Sequence, residues 1–216
     1  MKIQNLLKDY YSQNGEDGVV KYILDKLDKN NWCCEFGAWD GKNLSNTFNL
    51  VEKSDFNAVY IEPDEVKYES LLETVRQFSR IIPINKEVGI EKNTLDEILS
   101  ETDIPKNFDI LSIDVDGIDY AIWKSFKNYE PKVVIIEVNS GIGPDVLLSE
   151  HELTEHSLST RTGVNFRTCY ELGRDKGYTL IYYTGNMIFI HNDYKHLFDC
   201  YDDNNYLEAY RTWWNN

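Results

Sequence analysis

The chain has 216 residues, with 22 Lys and Arg against 37 Asp and Glu, and a formal net charge of −15 at pH 7. Such an acidic balance disfavours nucleic-acid binding, which requires clustered basic side chains to displace counterions. No run approaches the roughly 18 apolar residues of a membrane span. The opening MKIQNLLKDYYSQNGED lacks the apolar core of a signal peptide, and the four cysteines form no Cys-x-x-Cys pair. One cytoplasmic domain over residues 1–216, with Cys33, Cys34, Cys169 and Cys200 as core filler, is therefore expected.

Val19, Val20, Ile23, Leu24 and Leu27 recur at helical spacing, which predicts a helix over 16–29 within an N-terminal helical segment, 1–30. A strand at 32–36 follows, then a Gly/Asp loop, a helix at 43–53, a strand at 57–62, a helix at 64–78 and a strand at 80–84. TLDEILS at 94–100 reads as a short helix with Thr94 and Glu97 as a capping box. The apolar run 108–113 ends on Asp114 and Asp116, and is followed by a helix at 118–128. The strand PKVVIIEVN then delivers Glu137 and Asn139.

Residues 139–164 form a polar insertion longer than most loops, expected to be a substrate lid carrying His151, His156 and Arg161. HELTEH within it fits neither His-Glu-x-x-His nor its inverse, so no zinc site is read there. After a helix at 165–176, two apolar runs flank Thr184-Gly185-Asn186, a hairpin signal. The aromatic tail, 194–216, is expected to be helical and to pack on the sheet or on a second copy of the chain, which leaves a homodimer open.

The fold class that follows is α/β. A mostly parallel seven-stranded sheet closed by an antiparallel hairpin, with helices on both faces, differs from a dinucleotide-binding Rossmann domain. It agrees with the class I methyltransferase order 3-2-1-4-5-7-6. Ligands of such sheets bind beyond the carboxyl ends of the strands, and four expected tips carry Glu35, Glu62, Asp114 and Glu137. Gly37 and Gly41 let the chain approach a ligand closely. Glu35 and Asp40 stand where phosphates would lie, which favours a cationic or uncharged ligand. S-adenosylmethionine, with a sulfonium, an ammonium and a ribose for Glu62, meets that requirement better than NAD. Asp114, Asp116, Glu137 and Asn139 form an all-oxygen set appropriate to Mg²⁺. Alternatively, Asp114 and Asp116 bind substrate directly or cap helix 118–128.

YSQNGEDGVVKYIL at 11–24, EFGAWDGKNLSNTFNLVEK with VYIEPD, and TLDEIL followed by FDILSIDVDGIDYAIWKSF together resemble the FkbM-like branch of the S-adenosylmethionine-dependent methyltransferases. The resemblance spans about residues 10–140. It implies that Glu35 and Gly37 line the methionine part of the cofactor and that Glu62 holds the ribose. It further implies that Ser12, Gln13 and Asp17 fold over the cofactor and that Asn85 neighbours the adenine. Asp114 and Asp116 match the acidic fourth motif, as Asp-Val-Asp-Gly where the family more often has Asp-Val-Glu-Gly. With Glu137 they are the catalytic candidates.

The resemblance implies O-methylation of a hydroxyl on a sugar, glycan precursor or other small molecule. Two other readings stay open. Asp114-Val115-Asp116 is also an Asp-x-Asp of the kind that holds a metal and a nucleotide-sugar in glycosyltransferases, and a methyltransferase fold can serve as a non-catalytic interaction module. Trp39, Trp123, Trp213 and Trp214 are given no ligand, and Trp123 is expected in the core or at its rim.

Overall fold

In the computed structural model, which describes residues 5–115 and 117–214, seven strands among the described residues form one sheet. β1 (Trp32–Phe36), β2 (Asn57–Ile61), β3 (Ile81–Ile84), β4 (Ile110–Ile113) and β5 (Val133–Glu137) run parallel. β6 (Tyr178–Tyr183) and β7 (Asn186–His191) close the sheet antiparallel, in the expected order β3-β2-β1-β4-β5-β7-β6. The central strands are apolar nearly throughout because both of their faces are covered.

Cys34, Val59, Leu111 and Val134 face a core shared with α4 (Leu95–Ser100), α5 (Asp119–Ser125) and α7 (Phe166–Asp175). Cys33, Ala58, Ile110 and Val133 face the opposite core, with α1 (Glu16–Leu24), α2 (Phe48–Lys53) and α3 (Glu65–Val75). Cys33, Cys34, Cys169 and Trp123 are buried, as expected of core residues, whereas Cys200 is only partly buried, its thiol bonding the Lys195 and Phe198 carbonyls in the tail. The α4 capping box forms with both of its bonds, Thr94 to the Glu97 backbone and Glu97 to the Thr94 backbone.

Several helices are shorter than their apolar spacing predicts, and in each case competing contacts account for it. α1 ends at Leu24 rather than 29, and the chain leaves it through i to i+3 bonds from Lys26 and Leu27 to Ile23 and Leu24. The helix expected at 43–53 begins only at Phe48, because residues 45–47 are engaged by Glu35. α5 stops at Ser125, since the Lys127 and Asn128 amides donate to Asp96 at 2.9 and 2.8 Å.

The tail is not one helix. A 3-10 turn (Asn192–Leu197) is separated by irregular chain from α8 (Tyr206–Trp214). α8 packs on its own domain, with Tyr206 stacked on Tyr170 at 4.3 Å and Tyr210 on Tyr183 at 5.5 Å. The insertion 139–164 has structure of its own, α6 (Glu150–Thr154) running into a π turn (Glu155–Ser159). No helix among the described residues is long and apolar enough to cross a membrane.

At the amino edge of the sheet, buried Lys132 and Asp109 pair at 2.7 Å. Asp109 also accepts the amides of Asn30 and Asn31 at 3.0 and 2.7 Å, and Lys132 donates to the Asp28 carbonyl. One ion pair thus fastens the chain entering β1 to the starts of β4 and β5. Removing one partner strands a buried charge, so Lys132→Ala should lower the unfolding free energy by about 3–5 kcal/mol, read by urea denaturation.

Candidate active site

The first strand turns at Gly37, whose φ is +76° and where an added Cβ would lie 1.9 Å from the Asp114 carbonyl oxygen. Only glycine permits both that dihedral and that approach, so the tips of β1 and β4 meet backbone to backbone. The Gly37 and Ala38 amides donate to the Ile61 carbonyl at 3.1 and 3.2 Å, which adds the tip of β2. Asp40 is consumed locally, accepting the amides of Lys42 and Asn43 at 2.9 and 2.8 Å and the Asn43 side chain at 2.6 Å. It shapes the loop through the hydrogen bonds of an Asx turn.

Glu35 shares its level of the sheet with Tyr60 and Ser112, facing inward. Its carboxylate accepts the Ser45 hydroxyl at 2.8 Å, the Asn46 amide at 3.2 Å and the Thr47 hydroxyl. Asn46 in turn donates to Ser112 at 3.1 Å. The residue expected along the methionine part of the cofactor is therefore buried beneath the loop and binds it from below. Burial raises the Glu35 pKa, while the bonds from Thr47 and Ser45 oppose the rise.

Glu62, immediately after β2, is 3% exposed and accepts the Trp39 amide at 2.8 Å and the Asp64 amide at 2.9 Å, one on each oxygen. Each oxygen keeps a further acceptor position. Asn85, exposed after β3, donates to the Glu62 carbonyl at 2.8 Å and borders a hollow of about 450 Å³ with Glu65, Val66 and Tyr68.

Asp114 and Glu137, at the neighbouring ends of β4 and β5, are exposed. Asp116 lies outside the described residues. Sequence reasoning missed Asp119, which accepts the Val115 amide at 2.9 Å and the Gly117 amide at 2.8 Å and so fixes the turn from β4 into α5. α5 itself has Ile118 at its N-cap and no side-chain cap. Glu137 borders a cleft of about 390 Å³ whose floor includes Tyr120 and whose far wall is the insertion, from Arg161 to Val164.

The insertion is held down at this cleft. An added Cβ on Gly117 would lie 2.0 Å from the Arg161 carbonyl oxygen, and the Arg161 guanidinium reaches Glu87 at 3.4 Å. Asn139 has both ends of its amide committed there, donating to the Thr162 carbonyl at 2.6 Å and accepting the Gly141 amide at 2.8 Å. His156 bonds Thr162 at 2.8 Å within the insertion, and His151 stays exposed on α6. Among the described residues no group of three or more His, Cys, Asp or Glu is arranged to hold a metal. With Asn139 engaged elsewhere, the described donors do not fit the Mg²⁺ set read from the sequence.

The segment before α1 is organised by two buried acids. One oxygen of Asp17 accepts the amides of Tyr10, Tyr11 and Ser12 at 2.8, 2.8 and 2.9 Å. The Ser12 hydroxyl bonds that same oxygen at 3.0 Å. Glu16, also missed by sequence reasoning, accepts the Thr184 hydroxyl at 2.7 Å and the Asn14 amide at 2.8 Å, which ties the segment to the β6–β7 turn. Gln13 is exposed on it. The signals that find these residues are small ones: Ser-Asn-Thr before an apolar helix for the Glu35 nest, and an acid at the start of a helix for Asp119 and Glu16.

A seven-stranded sheet in this order, with acids at the tips of its parallel strands and a glycine turn after the first, defines the class I S-adenosylmethionine-dependent methyltransferase fold. A family model described as Methyltransferase FkbM domain matches residues 14–159. The chain belongs to that family and is an S-adenosylmethionine-dependent methyltransferase.

Two solved proteins, one of them in two structures, share the fold. A putative caffeoyl-CoA O-methyltransferase from Staphylococcus aureus is 13% identical, with a TM-score of 0.53 over 87% of this chain and 86% of the other. The N-terminal domain of EvdMO1 with S-adenosylhomocysteine bound is 11% identical, with a TM-score of 0.51 over 88% and 82%. A second structure of that domain, in the presence of S-adenosylhomocysteine and D-fucose, gives 10%, 0.50, 83% and 83%. M. capricolum TrmK in complex with S-adenosylhomocysteine gives 14% and 0.46, and the match covers 80% of this chain and 66% of TrmK. No curated protein matches the chain.

The Glu35 nest has a pH signature. A carboxyl group whose folded pKa lies above its ordinary 4.5 contributes stability that is complete below that value and is lost as pH rises through the folded pKa. In thermal melts the native chain should lose stability relative to Glu35→Gln as pH rises above 4.5. A difference that stays flat or grows in favour of the native chain contradicts the assignment.

Proposed function

We propose that this methyltransferase acts on a hydroxyl of a sugar, a glycan precursor or another small molecule, in the cytoplasm. The observation that carries the reading is the placement of exposed Asp114 and Glu137 on adjacent strand tips, with Glu137 bordering the cleft under the insertion. The sugar preference takes support from the fold neighbour studied with S-adenosylhomocysteine and D-fucose.

The donor chemistry fits the cofactor. The four tip residues are acids, and the remaining acceptor positions of Glu62 suit ribose hydroxyls. In this reading Glu62 holds the ribose and Asn85 flanks the adenine. Gly37, supported from below by Glu35 and laterally by Asp40, keeps the backbone low under the methionine part. Gln13 and the turn built on Asp17 cover the opening, and Asp116 belongs with Asp114 in the acidic motif.

When bound, S-adenosylmethionine supplies a methyl group whose bond to sulfur breaks with the electron pair left on sulfur. Glu137 takes the proton of the acceptor hydroxyl as its oxygen bonds to the methyl carbon, and Asp114 orients the acceptor. Placing the acceptor oxygen against the methyl carbon is the main work of the site's residues.

Glu62→Ala removes a charged hydrogen-bonding partner worth about 1.5–3 kcal/mol, so S-adenosylhomocysteine should bind about 10- to 100-fold more weakly by calorimetry. Glu137→Gln should keep that affinity and lose about 10²–10⁴ in kcat. In a thermal-shift screen S-adenosylhomocysteine should raise Tm and UDP-sugars should not. Stabilisation by a UDP-sugar alone would overturn the reading.

A further inference from the structure

Tyr120 belongs to two hollows. On one side it floors the cleft beside Glu137, and on the other it walls a second hollow of about 360 Å³ between α5 and the insertion. The two differ in chemistry. The first is bordered by Glu137, Asp119, Asn139 and Thr162. The second presents Ile90, Ala121, Leu153 and Leu158, with Lys124 and Lys127 along it.

Leu158 is 44% exposed, on the π turn that continues α6. Single π turns are rare and concentrate at functional sites. Lys124 rests over the Tyr120 ring at 5.7 Å and approaches Glu150 on α6 at 3.9 Å, so α5 and the insertion face each other across the hollow. The chain therefore keeps a recess with an apolar wall of Ile90, Leu153 and Leu158 and a polar rim of Lys124, Lys127, Glu150 and Thr154, one tyrosine away from the proposed proton acceptor.

We propose that the two hollows form one acceptor groove and that the methyl acceptor is amphipathic: a hydroxyl-bearing polar head lies against Glu137, and an apolar group joined to it occupies the recess lined by Ile90, Leu153 and Leu158. This deepens the function proposed above and rests on it. Tyr120 is the junction, since it lines both hollows. A free sugar would leave the recess wet. An alkyl glycoside gains from burying each methylene there.

The test uses the full chain saturated with S-adenosylhomocysteine, with octyl β-D-glucopyranoside below its micelle-forming concentration and methyl β-D-glucopyranoside as probes. Calorimetry or saturation-transfer NMR should show the octyl glycoside binding at least about tenfold more tightly, the gain expected from two buried methylenes. Leu158→Asn, which polarises an exposed position, and Ala121→Phe, which fills the recess, should each abolish the preference while Tm and the affinity for S-adenosylhomocysteine stay unchanged. No preference in the native chain, or one that survives both substitutions, overturns the inference. Failure of S-adenosylhomocysteine to bind the native chain would instead remove the cofactor reading, and the proposal with it.

Discussion

The contact between Gly37 and the Asp114 carbonyl sets the rest of the site. Parallel strands are spaced by their own hydrogen bonds, but the loops that leave them usually diverge. Here the loops after β1 and β4 touch through backbone alone, because the position between them lacks a Cβ. The amides of Gly37 and Ala38 then reach the end of β2. Three strand tips are thereby held at one level, with Glu62, the glycine turn and Asp114 along it.

The acids at this edge divide into two kinds. Glu35, Asp17, Asp40 and Asp119 each accept two or more hydrogen bonds from the protein itself, and they act as fixed centres around which loops are wrapped. Asp114 and Glu137 are exposed, and Glu62 is buried with acceptor positions remaining. This division explains how a chain with a net charge of −15 can crowd acids at one edge. Backbone amides and hydroxyls hold part of that charge in fixed positions.

The sheet was legible because its strands are short apolar runs ending on acids, and because Thr184-Gly185-Asn186 marks the closing hairpin. Helix ends were less so, since contacts distant in sequence set them: Asp96 ends α5 from 31 and 32 residues away. At the site, sequence placed the carboxylates at the correct edge but gave no direction to their side chains. A carboxylate turned down into Ser45, Asn46 and Thr47 has the same one-letter signature as one turned up to a ligand. Asn139 shows the same limit, for its position past a strand tip suits a cation whereas its amide serves the insertion.

Hydrogen exchange with and without S-adenosylhomocysteine tests the central claim most directly, because it reports where on the backbone the cofactor lies. The account predicts slowed exchange in the peptides covering 35–41, 61–65 and 113–119, at the carboxyl edge of the sheet. Protection confined to the opposite edge, around the hollow between Tyr178 and Asp203, or no protection at saturating ligand, would contradict it.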